Sequence, residues 1–315
     1  MKRILSLTLV IAVIFGISAC SGNADGGSAD ETKSSSDESG PDLSAPDGSE
    51  PDGSEPDESA SEVPGGTPAE PVNVKIGITG ESENVIWKPV IEKLAEEGVN
   101  IEIVNFADYT LVNGALNDGD IDLNAFQHHA FLNQEVADKG YDIAPIGDTY
   151  ISSMSIYSDK ISDVTELKQG DKIAIPNDPV NLGRALSVAQ GASLITLSGP
   201  ANGNTYEITD ISANELDIEF VQVDASQIPA LLPDVAAGVI NGNYALDFGL
   251  SPQNDAIFYD DVNFYPDNRY ANAIVARASE VGDPVYAKIV QAYQSEEVEL
   301  IYRDAFEGSY LPAWR

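Results

Sequence analysis

Residues 172–186 read KIAIPNDPVNLGRAL, and the order of residue types in them sets the class of the fold. Lys172 to Ile175 is a short apolar strand. Pro176 and Pro179 then interrupt regular structure, and a helix follows, with Asn181 placed to cap it and Arg184 in its first turn. A strand, a polar turn and a helix N-terminus bearing a guanidinium make a cradle for a small carboxylated ligand. Free N–H groups and the helix dipole attract anions there, and the Arg fork matches a carboxylate. Taken alone, the same residues also describe an ordinary capped surface helix, so the rest of the chain decides.

Upstream the strand–helix alternation recurs. Val74 to Ile78 alternates and ends at Thr79-Gly80. Val85 to Glu97 carries a helical apolar stripe of Val85, Ile86, Val90, Ile91 and Leu94, closed by Gly98. Asn100 to Phe106 and Ile121 to Phe126 read as strands, Tyr109 to Asn117 and Ala130 to Lys139 as helices. Ile143 to Tyr157 is a longer extended run that crosses between lobes. Downstream, Ile218 to Val223 and Ala236 to Ile240 are strands around a helix from Ser226 to Val235. A strand from Ala273 to Ala276 and helices from Pro284 to Gln294 and Ser295 to Phe306 finish the chain. Such alternation predicts an α/β protein with parallel sheet and helices on its faces.

Composition narrows the function. A length of 315 residues, 43% of them hydrophobic, can build two core-bearing lobes. The 52 acidic residues against 16 basic ones give a net charge of −36, and no basic stripe is left to neutralise phosphates or anionic lipid. No nucleic-acid partner is expected. Cys20 is the single cysteine, so the chain can make no internal disulfide or thiolate metal site, and His128 with His129 are too few for a His-rich zinc site. Neither a metal nor a cofactor is expected.

The N-terminus reads as a targeting segment. Met1-Lys2-Arg3 is basic, Ile4 to Ile17 is an interrupted apolar run, and Ile17-Ser18-Ala19-Cys20 brings small residues before the lone cysteine. This resembles the lipobox of bacterial lipoproteins, which implies cleavage before Cys20 and its lipidation. A single N-terminal membrane anchor is the competing reading. Either tethers the protein to the cell membrane on its extracytoplasmic face. Residues 21–71, with Pro46-Asp47-Gly48-Ser49-Glu50 and Pro51-Asp52-Gly53-Ser54-Glu55, form an acidic linker too poor in apolar residues to fold.

Polar turns close several of the strands: Thr79-Gly80-Glu81-Ser82, Phe126-Gln127-His128-His129, Asn177-Asp178 and Asn241-Gly242-Asn243. In open α/β sheets ligands bind at such strand ends. One Arg, several Asn, one or two His and several aromatics, without a tight acid–base pair, suit the grip of a zwitterion beside an apolar pocket. No Gly-x-Ser-x-Gly elbow is present, so an extracytoplasmic amino-acid-processing enzyme is the weaker alternative, and no catalytic residue is assigned.

The chain resembles the methionine-binding lipoprotein family (MetQ/NlpA). The stretches that carry the resemblance are Phe106 to Tyr109 with Asn113 to Leu116, Asp120 to His128, Tyr157 to Ile161, Ile175 to Leu186, Val239 to Leu246 and Tyr270 to Asn272. The resemblance implies a two-lobed, type II-like periplasmic-binding-protein clamshell with the ligand cleft between lobes. Residues 72–156 plus 270–315 would form one lobe and 157–269 the other. It implies a monomer that binds methionine and delivers it to the permease and ATPase subunits of an ABC importer. Arg184 would bind the ligand carboxylate with Asn181 beside it. Asn243 and Asn272 would hold the ammonium and carboxylate ends, and Tyr109, Phe126, His128 and Phe131 would wall the thioether pocket. The chain departs from the family pattern at Val112, Ala130 and Phe131, where Pro, Pro and Tyr are usual, and in the turn Gly80 to Asn84. The same role for another small amino acid or a methionine-containing dipeptide stays open.

Overall fold

Two sheets divide the strands between them. The computed structural model describes residues 71–199, 205–261 and 267–315. Cys20 with the targeting segment, the linker as far as residue 70, and residues 200–204 and 262–266 lie outside the described residues.

The first half runs β1 (Val72–Thr79), α1 (Asn84–Ala95), β2 (Val99–Phe106), α2 (Tyr109–Asp118), β3 (Leu123–His128), α3 (His129–Lys139) and β4 (Ile143–Ser152). At Ser153 the chain leaves this sheet. There follow β5 (Met154–Tyr157), β6 (Lys172–Pro176), α4 (Pro179–Gly191), β7 (Thr196–Leu197), β8 (Ile211–Ala213), β9 (Glu219–Val223), α5 (Ile228–Leu231), β10 (Ala237–Asn241), α6 (Gly242–Asp247), α7 (Pro252–Asp255) and β11 (Ala256–Phe258). The chain then returns with β12 (Ala271–Arg277), α8 (Pro284–Tyr293), α9 (Glu296–Asp304) and β13 (Tyr310–Pro312).

The first sheet has the order β13-β4-β12-β3-β1-β2 and the second β11-β5-β10-β6-β9, with β7 and β8 in a small ladder of their own. The sheets are mixed, not wholly parallel. β1 pairs in parallel with β2 and β3, as β6 does with β9 and β10. β12 runs antiparallel to both β3 and β4, and β5 antiparallel to β10. Parallel neighbours need a crossover on the sheet face, whereas a strand re-entering from the other sheet comes in at the opposite end and runs back along its neighbours.

Local chemistry explains most element ends. Gly119 and Gly140, at φ of 84° and 70°, close α2 and α3 in the left-handed conformation that glycine adopts freely. Residues Ser226 to Val235 do not form one helix. Pro229 and Pro233 break the segment, leaving a short 3₁₀ turn and the four residues of α5. The helix bearing Arg184 also starts earlier than its sequence signals indicate. Asp178, not Asn181, is its cap, accepting from Asn181 N at 2.9 Å, and Pro179 is its first residue. Proline is tolerated there because the missing N–H would have had no intrahelical partner. Arg184 consequently sits in the second turn.

Three apolar clusters hold the fold. One packs α1, α8 and α9 on the first sheet through Ile76, Ile78, Trp87, Leu94, Tyr293 and Tyr302. Another packs α4 on the second sheet through Ile173, Ile175, Leu186 and Ala189. The third is shared: Tyr109, Phe126 and Phe131 from the first half meet Tyr244, Ile228 and Ile240 from the second. Close packing leaves no room where α4 meets the 205–206 segment. A Cβ on Gly183 would lie 2.6 Å from Tyr206 N and 3.1 Å from Thr205 Cα, both backbone atoms that cannot swing aside. Gly183→Ala should therefore lower unfolding free energy by ~1–3 kcal/mol, the usual cost of forcing extra volume into a packed site, measured by urea denaturation.

Candidate ligand-binding cavity

A narrow cavity lies at the junction of the two sheets. It is lined from the first half by Tyr109, Phe126, Gln127, His128, Phe131, Tyr150, Ser152 and Asn272, and from the second by Asn181, Arg184, Asn241, Gly242 and Asn243. All eight residues singled out in the sequence thus stand around one space. Gln127, Tyr150, Ser152, Asn241 and Gly242 were not singled out. For Asn241 a signal existed, since it opens the polar turn that contains Asn243. For Tyr150 and Ser152 there was none, because nothing in an extended run marks the residue at which it changes sheets. A larger groove along α9 and β13 is open to solvent, and its Arg303 and Arg315 are paired with Asp304 and Glu299. It offers no comparable enclosure.

Arg184 is only 4% exposed. Its Nη2 donates to the carbonyl of Ser152 at 2.7 Å, so the guanidinium is tied to the last residue of β4. The ring of Tyr270 lies beneath it at 4.4 Å, and the Asp260 carboxylate stands 3.9 Å away. A cation over an aromatic face gains electrostatically without losing its remaining donors.

His128 ends β3 and caps α3. Its Nδ1 accepts from Phe131 N–H at 3.1 Å, which puts the ring proton on Nε2, facing Asn181 Oδ1 at 3.4 Å. Burial, reinforced by the Arg184 charge, pushes its pKa down to about 3, so the ring is neutral. Both nitrogens are engaged, which leaves the imidazole poorly placed to act as a base. His129 is half-buried and bonded to Asp148 at 2.7 Å.

Tyr109 spans the junction. Its OH donates to Asn243 Oδ1, and its ring packs on Tyr244 at 4.6 Å, Phe126 at 5.8 Å and Phe131 at 6.1 Å. Asn243 Nδ2 donates in turn to Thr79 Oγ1 at 3.3 Å, closing the contact across the two halves. Asn243 does not lie in a polar turn with Gly242. Both belong to α6, a helix whose short length hid it among turn residues. Asn272 Nδ2 donates to Tyr150 O at 3.2 Å. Behind Phe126, Asn113, Asn124 and Gln127 bond one another in a buried carboxamide cluster. Among the described residues, no group of His, Cys, Asp and Glu side chains is arranged to hold a metal, and no helix is long and apolar enough to cross a membrane.

Two α/β lobes with a polar and aromatic cavity at their junction define a two-lobed solute-binding protein. Solved structures agree. The nutrient binding protein from Burkholderia cenocepacia bound to methionine is similar with a TM-score of 0.72 at 38% identity, covering 76% of this chain and 99% of that one. The ABC transporter periplasmic substrate-binding protein from Coxiella burnetii gives 0.71 at 35% identity, covering 76% and 100%. The sequence pattern of the NlpA lipoproteins matches residues 74–314, and the chain belongs to that family. The D-methionine-binding lipoprotein MetQ of Yersinia pestis is 38% identical over 254 residues, 79% of this chain and 92% of that protein.

One ionisable group lies just behind the cavity. Glu83 is 1% exposed, and its Oε1 accepts from the hydroxyls of Tyr150 and Tyr310. Burial pushes its pKa up to about 8, with Asp247 adding to the rise and the two tyrosine hydrogen bonds opposing it. The folded state therefore holds a proton that the unfolded chain has released, from the ordinary glutamate value of 4.5 up to about 8. The resulting stability is complete below the lower value and lost as pH rises through the upper one, by ~1.4 kcal/mol for each pH unit between the two. Glu83→Gln should remove this loss, so the gap in melting temperature between variant and wild type should move in favour of the variant from pH 5 to pH 9.

Proposed function

We propose that this protein is the substrate-binding component of an ABC importer, and that it takes methionine as a zwitterion in the cavity at the lobe junction. Lipid on Cys20 would hold it at the extracytoplasmic face of the membrane, with the acidic linker as spacer. The permease and ATPase of the importer would be its partners.

The observation that carries the reading is one enclosed space in which Arg184 faces an aromatic wall. Arg184, already oriented by Ser152 O and the Tyr270 ring, would take the ligand carboxylate. Asn181, Asn243 and Asn272 would flank the polar end of the ligand. Phe126, Phe131, Tyr109 and neutral His128 would receive the thioether, where each contact of sulfur with a ring contributes ~0.3–1.5 kcal/mol. Asn side chains serve a zwitterion well because they donate and accept without adding net charge. The names of the relatives, several of them D-methionine-binding lipoproteins, support the same ligand.

Thermal melting of the protein with each amino acid and with methionine-containing dipeptides tests the proposal. Methionine at a hundredfold excess over its Kd should stabilise by ~2.7 kcal/mol, an upward shift of several degrees, and both enantiomers belong in the comparison. Arg184→Ala should abolish the shift. Methionine without effect beside an active second ligand would replace the ligand and keep the binding role, whereas turnover of any ligand would favour an enzyme.

A further inference from the structure

The turn from Gly80 to Asn84, which departs from the family pattern, is gripped from two sides. From the second half of the fold, Asp247 at the end of α6 accepts from Ser82 N–H at 2.8 Å. The approach is close: a Cβ on Gly80, whose φ is 102°, would lie 2.6 Å from Asp247 Oδ2. From the first half, the buried Glu83 side chain accepts from the hydroxyls of Tyr150 on β4 and Tyr310 on β13. Tyr150 also belongs to the cavity wall. Its carbonyl accepts from Asn272 Nδ2, and Ser152, two residues on, holds Arg184. One buried carboxyl group is therefore connected both to the wall of the cavity and to the place where the second half grips the first.

The groups that act on Glu83 are phenols and one carboxylate. Tyr150, Tyr310, Tyr293, Tyr302 and Tyr109 face it from β4, β13, α8, α9 and α2, and burial raises the pKa of each above the ordinary tyrosine value, so all stay neutral. Asp247 acts on it from α6 as a like charge. Glu81, in the same turn, is exposed and accepts from Asn84 Nδ2. An ionised Glu83 would thus set two negative charges against each other where the halves meet, one of them out of water. A neutral Glu83 lets Asp247 come close.

We propose that protonated Glu83 acts as a clasp between the two halves, so that ligand binding in the cavity and proton binding at Glu83 favour each other. Glu83 is then a positioning residue, acting through Tyr150 and through the turn that Asp247 holds. The proposal rests on the reading of the cavity as an amino-acid site and adds a pH dependence to it. A ligand that fills the cavity touches both halves and favours the closed junction, in which Glu83 is neutral. Closure therefore raises the pKa of Glu83. The contribution of its proton to binding is complete at low pH and is lost as pH rises through the raised value.

Calorimetric titration of the full chain with L-methionine from pH 6 to pH 9 tests this. Wild-type affinity should fall about tenfold further over that range than the affinity of Glu83→Gln, loss of the ligand's own ammonium proton being common to both. At pH 8, titrations in two buffers of different ionisation heat should show the wild type taking up a fraction of a proton that the variant does not. Asp247→Asn keeps an oxygen for Ser82 N–H and removes the charge. It should reduce the pH dependence and keep the wild-type affinity at pH 6, and because its side chain is exposed it reads the link even where Glu83→Gln fails to fold. A pH profile in either variant that matches the wild type overturns the proposal and leaves the amino-acid reading standing. A wild type that binds no methionine at any pH overturns that reading instead. The clasp is then read by small-angle X-ray scattering of the unliganded chain, whose radius of gyration should grow from pH 6 to pH 9 in the wild type and not in Glu83→Gln. The same behaviour in both removes the clasp as well.

Discussion

A full positive charge buried to 4% exposure is the constraint around which the junction is built. Taking a guanidinium out of water is costly unless its donors and charge are answered nearby. Arg184 is answered by the Ser152 carbonyl, the Tyr270 ring and the Asp260 carboxylate. These come from the end of β4, the segment before β12 and the segment after β11. A charge on a helix of the second sheet thus fixes the point at which the chain leaves the first sheet and the stretch by which it returns. The cleft cannot be separated from the crossover that makes it.

Near that charge two buried ionisable groups, His128 and Glu83, are kept neutral by one cause acting in opposite directions. Burial lowers the pKa of His128 and raises that of Glu83, because desolvation disfavours whichever form is charged. Hydrogen bonding is correspondingly done by amides and hydroxyls: the Asn113, Asn124 and Gln127 cluster, the Tyr109–Asn243–Thr79 link and the Asn181–Asn241 pair. A chain with a net charge of −36 therefore presents a largely uncharged lining to a ligand. Such a lining suits a molecule that carries both signs and no net charge.

Much of this could be read before any coordinates. The strand–helix pairs from Val72 to Lys139 follow the apolar periodicity closely, since each buries one stripe against the sheet. The motif Phe126-Gln127-His128 and the segment from Ile175 to Leu186 were legible as strand ends with polar payloads. Where reading failed, a longer-range or competing local effect was at work. Pro179 looked like a terminator and is a helix start, because Asp178 supplies the cap. α6 looked like a turn because Asn-Gly-Asn favours turns, and packing of Tyr244 on Tyr109 overrides that preference. β12 could not be recognised as antiparallel, because its neighbours β3 and β4 lie far from it in the chain.

The sequence by itself determined the α/β class, the acidity that disfavours nucleic-acid binding, the single cysteine and the residue types of the site. These depend on local periodicity and composition, which need no knowledge of distant neighbours. Only the tertiary structure decided that the chain changes sheets at Ser153, that Ser152 holds Arg184, and which way each amide of the site faces. Those facts rest on contacts between residues tens to more than a hundred positions apart, and an amide's orientation is set by its partners and not by its place in the chain.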